Sequence, residues 1–206
     1  TADGGQAGTS VNLMLKGIIG IQAMPEISQA FGLRKPEGFI TQWKDQALNG
    51  GHLLSDTGNV QSWSLIYNTF ADKLTHSNLV GHDTYDSQAA FYKQLADDST
   101  NPFGLPLSSS SSDARSDWTM LTASTIDDPS TRDMLVSMVH ARANYNGTLG
   151  AFPTTYNAPS GNVTRGIARR VYILSHSMLI QNIICLTLPK ALRILYYHSS
   201  EHPTAS

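Results

Sequence analysis

The stretch "SDWTMLTASTIDDPSTRDMLVSMVH", residues 116–140, decides how the chain is read. It holds two apolar-periodic runs with a sharp joint at Asp128-Pro129. Asp128 suits an N-cap, and Pro129 suits the first helical position, where the missing N–H is no loss. Two helices so closely joined pack antiparallel. Ser116-Asp117-Trp118 at the head has two compatible readings. In one, Ser116 caps the first helix, Asp117 complements its dipole and Trp118 packs. In the other, Asp117 is a general acid or base or an ammonium ligand, and Trp118 is a platform for a sugar ring or side chain. Helix N-termini also serve as ligand sites.

Working outward, more helices follow by pattern. Residues 10–32 read as a helix that is apolar nearly all round, capped by Ser10 and stopped by Gly32, with Pro25 kinking or splitting it. Residues 36–51 form an amphipathic outer helix on the Phe39, Ile40, Trp43 and Leu48 stripe, ended by Asn49-Gly50-Gly51. Residues 62–77 form a helix capped by Ser62, with Trp63, Ile66, Tyr67, Phe70 and Leu74 spaced at three and four. Residues 82–98 form another, capped by Asp83 with Asp86 three later. Residues 99–115, with the serine run 108–112, read as a long loop. Residues 144–166 read as loop with room for a short hairpin. No strand-like alternation and no repeat is evident. The expectation is an all-α protein of antiparallel helical hairpins, an (α/α) toroid-like arrangement or part of one.

Composition sets the outer bounds. The 206 residues carry 40% apolar and 15% charged side chains and a net charge of −2. Without a basic cluster, nucleic acid is not an expected partner. A single cysteine, Cys185, forbids an internal disulfide, and its apolar setting makes it inert. The apolar tail is interrupted by Ser175, His176, Ser177, Gln181 and Asn182 and broken at Pro189. It therefore does not read as the roughly 20-residue run that spans a membrane. The seven histidines lack His-Glu-x-x-His spacing, so no metal is expected, and no cofactor. Nor is there a Gly-x-Ser-x-Gly elbow. The serine run lacks the glycines and lysine of a phosphate cradle. Sequons at Asn146 and Asn162 mark candidate glycosylation sites and permit a secreted location. The polar opening "TADGGQAGTS" reads as the flexible start of a processed or truncated chain.

The blocks "NLMLKGIIGIQAM", "SWSLIYNTFADKL", "YDSQAAFYK", "FGLPL", "SDWTMLTAS" and "STRDML" occur in this order. Together they resemble the C-terminal region of fungal glutaminase A-like proteins, over about residues 12–169. That family resembles the six-hairpin (α/α) toroid glycosidases in fold. The resemblance implies a longer parent with a β-rich region and earlier hairpins. It divides this chain into a flexible start (1–10), a partial toroid domain (11–169) and a divergent apolar helical tail (170–206) packed on the same domain. It implies hydrolysis of L-glutamine to L-glutamate and ammonia.

The candidate catalytic residues are Asp117 and Asp86, a carboxylate pair of the kind hydrolysis uses. Asp86 also has a plain capping role. The candidate substrate-binding residues are Trp118, Tyr85, Lys16, Trp63 and Tyr67. Lys16 lies among apolar neighbours, so it is expected either to pair with a carboxylate or to face a polar cavity. Trp63 and Tyr67, one helical turn apart, serve equally as core. Three functions remain open: a glutaminase-like amidohydrolase, a non-catalytic secreted lectin-like binding protein, and a glycoside hydrolase fragment. The expected partner is a small amino acid or carbohydrate. A homodimer or another partner is expected to cover the inner-helix surface that a half-toroid exposes.

Overall fold

A computed structural model describes residues 10–29, 38–97, 100–147 and 151–167. The chain divides into Thr1–Ile167 and Ala168–Ser206, and every described residue falls in the first unit. Residues 1–9 of the expected flexible start, the stop at Gly32, the helix start at Pro36, Cys185 and the tail 170–206 lie outside the described residues.

Helix predominates. The six helices among the described residues are α1 (Val11–Gln29), α2 (Phe39–Ala47), α3 (Thr69–Leu74), α4 (His82–Asp97), α5 (Ser116–Ala123) and α6 (Pro129–Ala143). Neighbours in sequence pack, α1 on α2 and α5 on α6. Alternate helices pack as well: α1 on α3, α3 on α5, and α4 on α6. The join between α3 and α4 is polar and buried. The Asp72 carboxylate on α3 accepts from the Leu79 amide at 2.9 Å, the Val80 amide at 3.2 Å and the Tyr85 hydroxyl of α4 at 2.9 Å.

The helix starts obey local chemistry to different degrees. Asp128 caps α6 as its sequence demands, its Oδ2 accepting from the Thr131 amide at 2.8 Å and the Thr131 hydroxyl at 2.7 Å. Ser10 Oγ accepts from the Leu13 amide at the head of α1. α1 is not split at Pro25. Asp83 is not a cap but lies inside the first turn of α4, after Gly81 at φ +83°.

Three expectations are corrected. First, residues 62–68 are not helical, and α3 begins only at Thr69. The amides of this segment are claimed elsewhere. Leu65 donates to the Leu107 carbonyl at 3.0 Å, Ile66 to the Tyr92 hydroxyl at 3.0 Å and Asn68 to Asn12 Oδ1 at 3.2 Å. In a helix capped at Ser62, the Ile66 and Asn68 amides would donate to the carbonyls four residues earlier, and here they do not. Ser62 ties a loop instead, donating to the Asn59 carbonyl and accepting from the Ser55 and Asp56 amides.

Second, strands accompany the helices. β1 (Leu48–Asn49) and β2 (His52–Leu53) make a tight hairpin. Its turn is Gly50-Gly51, with φ +56° and +85°, the two positive values a two-residue hairpin turn requires. β3 (Asp113–Ala114), β4 (Pro153–Asn157) and β5 (Val163–Ile167) form an antiparallel sheet in the order β3-β4-β5. The hairpin allowed for in residues 144–166 is thus present, and it gains a third strand. The serine run is tied at two points: the Ser109 amide donates to the Trp63 carbonyl, and the Ser112 carbonyl accepts from the Ala158 amide just past β4.

Third, α1 is not enclosed. Val11, Leu15 and Ile19 bury one side against Trp43, Leu54 and Ile66, and Trp43 Nε1 donates to the Val11 carbonyl at 3.0 Å. The opposite side leaves Leu13 47%, Ile21 40% and Met24 54% exposed.

Two measurements check these assignments. Replacing Asp72 by alanine strips an acceptor from two amides and a hydroxyl in a dry site, so urea unfolding should show a loss of about 3 kcal/mol, against about 1 kcal/mol for Tyr85→Phe. The Thr131 hydroxyl and amide hold the Asp128 carboxyl below its usual range. Its contribution to folding is therefore full above the unfolded carboxylate value of about 3.9 and fades as pH falls through the lower folded value. Asp128→Ala should unfold before the parent at neutral pH, and the two midpoints should converge in strong acid.

Candidate functional site

The best-organised polar constellation lies where β3 runs into α5. Arg115 is extended at φ −137°, ψ 127°, and Ser116 is already the first helical residue. Ser116 is therefore not the cap, which corrects that reading. Its hydroxyl instead meets the Tyr156 hydroxyl at 2.9 Å. Tyr156 in turn donates to the Phe103 carbonyl at 2.9 Å. Burial pushes the Tyr156 hydroxyl up to about 12, although the Ser116 bond and the nearby Arg142 charge oppose the shift.

Asp117 turns back on Arg115. Its two oxygens take a side-on fork, Arg115 Nε to Oδ1 at 3.0 Å and Nη2 to Oδ2 at 2.7 Å, and Oδ1 also accepts the Trp118 amide at 3.0 Å. Both side chains are mostly covered. Such planar pairing fixes a carboxylate in direction as well as place. Trp118 stacks on Tyr67 with centroids 4.0 Å apart, and the Arg115 guanidinium lies 4.5 Å over its ring. The indole's π surface is thus engaged from within the chain.

The other candidates are dispersed. Asp86 pairs with His82 one turn away at 3.5 Å, on an exposed face of α4 where Lys73 and Asp127 also meet at 2.8 Å. Asp86 and Asp117 therefore answer to different cations, and the expected carboxylate pair is not assembled by these contacts. Tyr85 is buried in the first core cluster, with its hydroxyl on Asp72 and the Thr69 carbonyl and Lys73 over its ring. Burial and the Asp72 charge push that hydroxyl far up. It acts as core, which corrects its expected place at a site edge. Lys16 is exposed on α1 and has no ion pair among the described residues, so neither expected environment is found. Trp63, half-buried, meets Phe91 edge-on at 6.1 Å, and Phe91 stacks on His52 at 4.2 Å. Trp63 and Tyr67 are not one helical turn apart, because their segment is not helix. Asn146 and Asn162 are both exposed, and Asn162 Oδ1 accepts from the Tyr145 hydroxyl at 3.0 Å.

Among the described residues no three His, Cys, Asp or Glu side chains converge as metal ligands. None of the described helices is long and apolar enough to cross a membrane. Two residues that matter here were not singled out by the sequence. Arg115 carries a signal, an Arg two residues before the aspartate at a strand-to-helix joint. Arg142 carries none, since basic residues are ordinary in a last helical turn.

The comparisons with known proteins agree with the helical hairpins. The sequence model of the glutaminase A six helical-hairpin domain matches residues 1–173, and the chain belongs to that family. It is similar to glutaminase A of Aspergillus oryzae (strain ATCC 42149 / RIB 40), 31% identical over 175 residues, covering 79% of this chain and 25% of that protein. It is also similar to a probable glutaminase of Arthroderma benhamiae (strain ATCC MYA-4681 / CBS 112371), 26% identical over 174 residues, covering 66% of this chain and 20% of that protein. The chain thus spans a quarter or less of these relatives. No solved structure matches it.

A double-mutant cycle tests the clamp. Arg115→Ala combined with Asp117→Ala should give a coupling above about 1 kcal/mol in urea unfolding, beyond the range of an exposed pair. Coupling near zero would reduce the fork to a surface contact.

Proposed function

We propose that the chain is the part of a glutaminase-like amidohydrolase that carries Asp117 at the mouth of an (α/α) toroid. The packing order supports the toroid. α1, α3 and α5 form one row, while α4 and α6 neighbour each other in the next. Odd helices inside and even helices outside are what stacked hairpins produce. The described residues then hold two packed hairpins, α1–α2 and α5–α6, with α3 and α4 between them. In that arrangement Asp117 begins an inner helix and Asp86 lies on the outer row.

The observation that carries the reading is the fork on Asp117. A carboxylate gripped by Arg115 and the Trp118 amide is directed at one spot, as a residue that handles a water or an ammonium group must be. In the proposed step, water attacks the side-chain amide carbon of L-glutamine. Asp117 takes a proton from that water and passes one to the departing nitrogen. The C–N bond breaks, leaving L-glutamate and ammonia. The names of the two relatives favour this substrate. The lectin-like alternative loses support, because the Trp118 indole that would bind a sugar already stacks on Tyr67 beneath Arg115.

The test is ammonia release from L-glutamine by the purified chain. Asp117→Asn should lower the rate by about a hundredfold or more, while Asp86→Ala should leave it unchanged. Equal loss in both variants would restore Asp86 as a catalytic partner. A folded chain without turnover would overturn the catalytic reading.

A further inference from the structure

Arg142, in the last turn of α6, is only 2% exposed, and its Nε and Nη2 have no hydrogen-bond partner among the described residues. No carboxylate among the described residues lies within ion-pair distance of it. Its neighbours are aromatic: the guanidinium carbon lies 5.1 Å from the Tyr145 ring centroid, 5.5 Å from that of Phe152 and 5.0 Å from that of Tyr156. Rings attract a cation through their faces. They do not accept the two parallel N–H groups along the edge of the guanidinium plane. Buried charged donors left unpaired are costly and uncommon.

Arg115 shows what that edge takes. Its Nε and Nη2, the same two nitrogens, grip the two oxygens of Asp117. Arg142 presents the same fork without its acceptor. We propose that Arg142 is the receptor for a small carboxylate ligand, bound side-on through Nε and Nη2 and walled by Tyr145, Phe152 and Tyr156. Tyr145 and Phe152 are half-buried and lie outside the helices and strands. Burial, which lowers the guanidinium's own proton affinity, is relieved when the carboxylate neutralises the charge.

The proposal does not depend on the amidohydrolase reading, and the two can fail separately. The experiment follows the Arg Nε–H signals of the 206-residue chain by NMR while sodium acetate or sodium L-glutamate is added. Sodium chloride at equal ionic strength is the control. One Nε signal should shift saturably with both carboxylates, or with L-glutamate alone if the amino group adds affinity. It should not shift with chloride. Arg142→Met assigns the signal. Arg142→Lys keeps the charge without the fork and should bind roughly tenfold more weakly or worse. An unmoved Nε signal in the unaltered chain overturns the proposal whether or not either variant folds. So does an equal response to chloride, or full binding by a folded Arg142→Lys chain.

Discussion

The structure depends on where the amides of residues 62–68 are satisfied. This segment has the spacing of a helix and gives its hydrogen bonds away. It reaches α1 through Asn12, α4 through Tyr92 and the chain before β3 through Leu107 and Ser109. Each bond ties the segment to another part of the chain. The two larger apolar clusters meet on this strap, because Ile66 belongs to one and the adjacent Leu65 to the other. Tyr85 of α4, buried with Val11 and Trp43, makes the second link between the α1–α2 pair and the α4–α6 pair.

The clamp at Asp117 inherits its order from the same frame. Tyr67, on the strap, supplies the ring on which Trp118 stacks. Tyr156, on β4, receives the Ser116 hydroxyl from the opposite direction. The short helix α5 is thus held at its first turn by contacts that come from well before it and well after it in the chain. Its site owes little to helix propensity and much to the sheet and strap that flank it.

What the sequence disclosed follows from locality. The cap of α6 needed only Asp128, Pro129 and Thr131, and it was legible. The strap was not, since Trp63, Ile66, Tyr67 and Phe70 keep helical spacing while the acceptors that unwind them sit far off in sequence. Asn49-Gly50-Gly51 serves equally to stop a helix or to turn a hairpin, and only the pairing of Leu48 with Leu53 decides. The fork of Arg115 on Asp117 crosses an element boundary, where residues two apart can meet although within a helix they diverge. Arg142 was invisible because its burial is made by rings from residues 145–156, which read as loop.

The three tryptophans lie in three different settings, and this gives the molecule an optical property. Trp43 is sealed in the first core with its ring N–H bonded to Val11. Trp63 rests half-buried against Phe91, and Trp118 lies between an aromatic ring and a guanidinium. Emission from the first reports on the α1–α2 pair, from the second on the strap and from the third on the clamp. Single-tryptophan versions of the chain would let light distinguish the loosening of each region from the unfolding of the whole.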